Sequence, residues 1–297
     1  MAFQRYLAEE VATDHADGVL PRREALRRLA LLGLGVPAAS ALLAACGDGG
    51  SGSEASSGAF SEGGAPPRPA PLPTQAVTFP GQEGRTLQGA WAEAGQPRGA
   101  VLVIHENRGL NDHIRSVAGR LAASGFSALA IDLLSAEGGT AALGDEAKAM
   151  AALSSAPQER LVADMGSGLD ELGRRAPDQK PGAIGFCFGG GMTWLLLASG
   201  EPRLAAAAPF YGPLPDGADF SGSRAAVLGV YAERDDRVNA SREEAKAALE
   251  RAGLTHELVT YPGADHAFFN DTGPRYDEAA ATQAYAKVLD WFGRYLG

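Results

Sequence analysis

From about residue 76 to the C-terminus, short continuous apolar runs alternate with stretches whose apolar residues recur every three or four positions. The runs lie at Ala76–Phe79, Thr86–Ala92, Ala100–Ile104, Ser127–Ile131, Gly182–Phe186, Leu204–Phe210, Ala225–Tyr231 and His256–Tyr261. Helical periodicity predicts helices over Asp112–Ala123, Pro157–Leu172, Gly190–Ala198, Ser241–Ala252 and Arg275–Tyr295. In the first of these Ile114, Val117, Ala118 and Leu121 share one face, and Gly125 supplies the stop. Apolar strands separated by helices imply one α/β domain over 76–297, a mostly parallel eight-stranded sheet covered on both faces. In such sheets the chemistry sits beyond the carboxyl ends of the strands.

The first 75 residues follow a different pattern. Pro21–Arg28 is cationic, and Leu29–Ala45 then runs without a charge. That stretch is shorter than the roughly 20 residues of a membrane-spanning helix, and Pro37 interrupts it. Residues 1–45 are therefore expected to lie outside the fold as an export signal. Arg22-Arg23 resembles a twin-arginine signal, which exports folded proteins, and Leu43-Ala44-Ala45-Cys46 resembles a lipoprotein box, with Cys46 acylated and becoming the new N-terminus. Residues 46–75, rich in Gly, Ser and Pro, read as a disordered tether with a flexible reach of about 30 Å. The expected location is the periplasm or cell surface, with the chain held to the membrane by its lipid.

Composition narrows the function. The 297 residues carry 26 basic and 36 acidic side chains, a net charge of −10, and no basic cluster in the domain for a nucleic acid. Two cysteines, Cys46 and Cys187, exclude a disulfide framework and a cysteine-rich metal centre. No nucleotide loop or cofactor signature is present, so neither cofactor nor metal is expected.

The sequence around the second cysteine is Ala183-Ile184-Gly185-Phe186-Cys187-Phe188-Gly189-Gly190-Gly191, a strand, then Gly-x-Cys-x-Gly, then a helix. A nucleophile elbow needs small residues two before and two after the nucleophile, because the turn brings strand and helix backbones together. A thiol there sits at a helix N-terminus, which is expected to lower its pKa. Downstream follow Asp235-Asp236 and then His266, in the order nucleophile, acid, base of α/β-hydrolases. The spacing alone does not separate Asp235 from Asp236. His105 and His113 compete with His266 for the base, whereas His15 lies in the leader and His256 opens a strand at the wrong end of the sheet.

Together with His105-Glu106-Asn107-Arg108-Gly109, these segments resemble the dienelactone hydrolase (carboxymethylenebutenolidase) family over essentially all of 76–297. The resemblance implies an α/β-hydrolase fold, Cys187 as nucleophile, His266 as base and Asp235, three residues before Val238, as acid. It implies that Glu106 contacts the cysteine and helps activate it when substrate binds, and that the backbone N–H groups of Phe188 and Asn107 form the oxyanion hole. One departure concerns substrate: family members with a carboxylate-bearing substrate hold it with arginines, one shortly after the histidine, but no arginine follows His266 before Arg275. Arg108 or Arg115 could take that role, and Phe268-Phe269 suggest a less polar acyl pocket, with Tyr211 either lining it or in the core.

The expected activity is cleavage of a small lactone or ester through a thioester on Cys187, by a monomer or small oligomer. The alternatives are a cysteine amidase or peptidase on the same scaffold and a catalytically dead binding lipoprotein.

Overall fold

The computed structural model describes residues 3–47, with backbone only at 46–47, and residues 67–297. The eight strands are β1 (Gln75–Pro80), β2 (Thr86–Ala92), β3 (Ala100–Ile104), β4 (Ser127–Asp132), β5 (Pro181–Phe186), β6 (Ala206–Phe210), β7 (Ala226–Ala232) and β8 (His256–Tyr261). They form one sheet in the order β1-β2-β4-β3-β5-β6-β7-β8. β2 is antiparallel to both its neighbours, and all other pairs are parallel. β3, β4, β6 and β7 are buried along their whole length, which is why they read as unbroken apolar runs rather than alternating ones.

The helices are α1 (Phe3–Ala16), α2 (Arg22–Leu31), α3 (Val36–Gly47), α4 (Asp112–Ala123), α5 (Thr140–Leu143), α6 (Glu146–Ser155), α7 (Gln158–Arg175), α8 (Phe188–Ala198), α9 (Asp236–Asn239), α10 (Arg242–Arg251) and α11 (Glu278–Tyr295). Asn111 caps α4 by accepting from the Ile114 N–H, and Asp145 caps α6 by accepting from Ala147 and Lys148. The capped α6 lies in a stretch whose hydrophobic periodicity is weak, and the sequence reading passes over it. In the sheet, β4 flanks β3 on one side and β5 on the other, so the connections reverse direction between β3 and β5. Ligands of open α/β sheets bind at such a reversal, beyond the carboxyl ends.

The expectation that residues 1–45 lie outside the fold does not hold for the described structure. α1 buries Tyr6, Leu7, Val11 and Ala12 completely. α2 ties to α6 through Arg28–Glu146 at 3.3 Å and an Arg27–Asp145 ion pair. The apolar face of α1 (Phe3, Tyr6, Leu7, Val11) is an ordinary helical stripe, and burying it drives the docking. Of the expected tether, residues 67–74 run along the domain: Leu72 N–H donates to the Gly119 carbonyl at 3.1 Å, and the Arg68 guanidinium lies 5.1 Å from the Phe269 ring. The Cys46 side chain and residues 48–66 lie outside the described residues. Among the described residues, no helix is long and apolar enough to cross a membrane.

Candidate active site

Cys187 stands between the end of β5 and the start of α8 with φ +55° and ψ −116°, a left-handed strain that an L-residue tolerates only where its surroundings hold it. The flanking glycines let the turn form. A Cβ on Gly185 would lie 2.0 Å from the Gly189 carbonyl oxygen, and one on Gly189 would lie 2.3 Å from the Ile104 carbonyl oxygen. The second contact also presses the start of α8 against the end of β3.

Asp235 follows β7 and caps α9, accepting from the Val238 N–H at 3.4 Å, which accounts for the Asp-x-x-Val spacing. Its other oxygen lies 2.5 Å from His266 Nδ1. Asp235 is buried and Asp236 is exposed, so burial separates two neighbours that spacing could not. A carboxylate facing Nδ1 places the proton on that nitrogen, leaving Nε2 with a free lone pair. His266 Nε2 is buried and has no partner. Burial disfavours a charged His266, but Asp235 outweighs it and holds the imidazole above its ordinary pKa. Burial likewise pushes the Asp235 carboxyl up, and His266 and Arg237 more than reverse that.

The competing histidines are engaged elsewhere. His105 is buried, with Nδ1 2.6 Å from the Glu106 carbonyl and Nε2 accepting from the Leu133 N–H at 3.1 Å. His113 Nδ1 lies 2.9 Å from Asp271, on the α4 side of the site.

A carboxylate that the sequence analysis missed reaches the thiol. Glu10, on α1, has its two oxygens 3.3 and 3.5 Å from Cys187 Sγ. Asn107 Nδ2 donates to the same carboxylate at 2.8 Å, and the Tyr6 hydroxyl lies 3.5 Å from the sulfur. Glu106, expected to touch the cysteine, instead accepts from Asn270 Nδ2 at 2.7 Å, and its Oε1 is buried without a partner in the cavity beside Cys187. The expected fall in thiol pKa is also reversed. Burial pushes the Cys187 thiol well above its usual range, and the Glu10 and Glu106 charges add to this. The Tyr6 hydroxyl and the Phe188 N–H at the helix N-terminus oppose them without prevailing.

The cavity beside Cys187 holds about 40 Å³, room for a few water molecules. Its walls include Glu10, Asp14, Arg108, His266 and Arg275. Phe268 and Phe269 are not among its walls. Phe268 packs on Tyr211 and Tyr261, and Phe269 stacks on Phe186 at 5.1 Å, so the pair builds the core under the site rather than an apolar acyl pocket. Tyr211 is fully buried, its ring 5.1 Å from that of His266. Arg108 reaches the cavity and pairs with Glu146 at 3.5 Å; Arg115 is not among the residues that line it.

Ligand atoms of Glu10, Cys187 and His266 lie within 4.8 Å of one another. Thiolate, imidazole and carboxylate suit a borderline ion such as zinc, but an ion seated there would occupy the sulfur and the free ring nitrogen. Left unbound, Cys187 and His266 form a thiol beside a base held in one tautomer, components of nucleophilic acyl transfer.

Comparison with known proteins gives the family. The sequence profile of the dienelactone hydrolase family matches residues 87–296. A carboxymethylenebutenolidase-type protein of Salmonella typhi is 33% identical over 210 residues, covering 66% of this chain and 77% of its own. One from Escherichia coli (strain K12) is 30% identical over 239 residues, covering 76% and 86%. The crystal structure of a dienelactone hydrolase-type protein of Klebsiella pneumoniae subsp. pneumoniae superposes with a TM-score of 0.66 at 30% identity, covering 75% of this chain and 98% of that one.

Proposed function

Since the chain belongs to the dienelactone hydrolase family, we propose that it hydrolyses lactone or ester bonds of small molecules through Cys187, His266 and Asp235. The observation that carries the reading is the alignment of three groups. A thiol is held at a strained elbow, a histidine within 4.8 Å has an unpartnered Nε2, and a buried aspartate lies 2.5 Å from its Nδ1. His266 takes the thiol proton as sulfur attacks the carbonyl carbon. The backbone N–H groups of Phe188 and Asn107 receive the developing oxyanion. The imidazolium returns the proton to the leaving oxygen, the C–O bond breaks, and an acyl thioester remains on Cys187. Water, deprotonated by His266, attacks the thioester, and the acid leaves as the thiol re-forms. Thiolate is a good leaving group, so activated esters and enol lactones suit this nucleophile better than amides do. Arg108 and Arg275 share the cavity wall with Glu10, Asp14 and Glu106, and both are paired with carboxylates, Arg108 with Glu146 and Arg275 with Asp14 and Asp17.

In the same reading residues 1–45 are a twin-arginine-type leader and Cys46 is acylated, which places the mature enzyme on a membrane surface in the periplasm or at the cell exterior. The sequence pattern before Cys46 supports this, and palmitate labelling lost in Cys46→Ala tests it. The catalytic reading is tested by incubating the chain with p-nitrophenyl acetate and mapping adducts by mass spectrometry. An acetyl group on Cys187 that decays with turnover is expected. Turnover with no adduct at Cys187, under conditions that slow deacylation, would refute it.

A further inference from the structure

Helix α1 covers the site just described. Phe3 meets the Phe188 ring edge-on at 5.7 Å, in space left open by Gly191, whose Cβ would lie 2.7 Å from the Phe3 ring. Tyr6 and Glu10 both reach the sulfur. Arg237, beside Asp235, donates to the Tyr6 carbonyl at 3.3 Å and lies 5.1 Å from its ring. One turn further on, Asp14 and Asp17 accept from Arg275 at 2.7 and 2.6 Å. The helix therefore neutralises a cation at the cavity wall, occupies the approach to the thiol and leaves room for only a few waters.

We propose that the mouth of the Cys187 site is a binding surface for this chain's own acidic helix α1, which blocks the active site for as long as residues 1–45 remain attached. The consequence for catalysis rests on the hydrolase reading above, whereas the block itself is a property of the contacts. Glu10 takes two positions at once: it accepts the thiol's proton contact, and it holds the Asn107 side chain at the loop that supplies an oxyanion donor. Cleavage before Cys46 would remove α1 and α2 and all but the end of α3, leaving 252 of the 297 residues. A chain exported folded would then be closed before export and open after it.

The test uses the full chain in a Cys46→Ser background, with a protease site placed within residues 48–66. Asp14→Lys and Asp17→Lys weaken the hold of α1 on Arg275 without touching the thiol's neighbours. Alkylation of Cys187 by iodoacetamide and turnover of p-nitrophenyl acetate are measured before cutting and after the N-terminal fragment has been removed. Alkylation at least tenfold faster after removal is expected, and a synthetic peptide of residues 1–20 should slow it again and raise KM rather than lower kcat. The uncut Asp14→Lys, Asp17→Lys chain should already alkylate faster than the parent. Equal alkylation in parent, double variant and fragment-free chain would overturn the proposal. Faster alkylation without any ester turnover would uphold the block and count against the hydrolase reading alone.

Discussion

Glu10 and Cys187 are 177 residues apart in the chain, yet a carboxylate oxygen of one lies 3.3 Å from the sulfur of the other. The contact sets a negative group against the atom that has to become an anion. It raises the thiol's pKa together with burial, which is the larger cause. Glu10→Gln removes the charge but keeps the shape. The midpoint of the pH profile for Cys187 alkylation should move to lower pH, and an unmoved midpoint would show that Glu10 carries no charge in the site.

The proposed acid, Asp235, is the one buried member of an adjacent pair. Asp235→Asn should lower kcat/KM for an activated ester by about 10⁴-fold, because an amide facing Nδ1 allows the wrong imidazole tautomer. Asp236→Asn, on the exposed side of the same turn, should leave the rate within about twofold. Steady-state kinetics of the two variants side by side decides between them.

The elbow makes its demand on stability as well as on chemistry. A methyl at position 185 would lie 2.0 Å from the Gly189 carbonyl oxygen, backbone against backbone, where neither side can turn aside. Gly185→Ala should cost about 3 kcal/mol or more, or prevent folding. Gly173→Ala, in α7 with nothing near its Cβ, should be neutral or stabilising by up to about 1 kcal/mol. Urea denaturation of both proteins measures the difference.

The His266–Asp235 pair links stability to pH in a defined window. Asp235 is held below its ordinary 3.8, so its contribution is present above that pH and is lost as pH falls through the lowered value. His266 is held above its ordinary 6.5, so its contribution is complete below that pH and is lost as pH rises through the raised value. The stability difference between parent and Asp235→Asn should therefore be largest between about 3.8 and 6.5 and shrink on either side. A difference independent of pH would mean that the pair is not ionic.

The sheet and the three groups at its carboxyl edge were legible because each leaves a local mark. β2, β3 and β8 fall where the apolar runs place them, and the glycines around Cys187 state the geometry of the turn. The roles of Phe268 and Phe269 were not legible, since an apolar pair after a histidine reads the same whether it lines a pocket or fills the core. Only the stacking on Phe186 separates the two cases. The resemblance implied that Glu106 contacts the cysteine, whereas its partner here, Asn270, lies 164 residues away and carries no local signal. The place of α1 was hidden for the same reason. Its Phe3, Tyr6, Leu7 and Val11 stripe announces an amphipathic helix, whereas nothing in the sequence says which surface it covers.

The central claim is that Cys187 is the nucleophile, and the turnover of p-nitrophenyl acetate by Cys187→Ala against the parent, both after removal of the N-terminal fragment, tests it most directly. A fall of about 10³-fold or more, in a variant that keeps the parent's far-ultraviolet circular dichroism, is the predicted result. Parent-level turnover by Cys187→Ala would contradict the account.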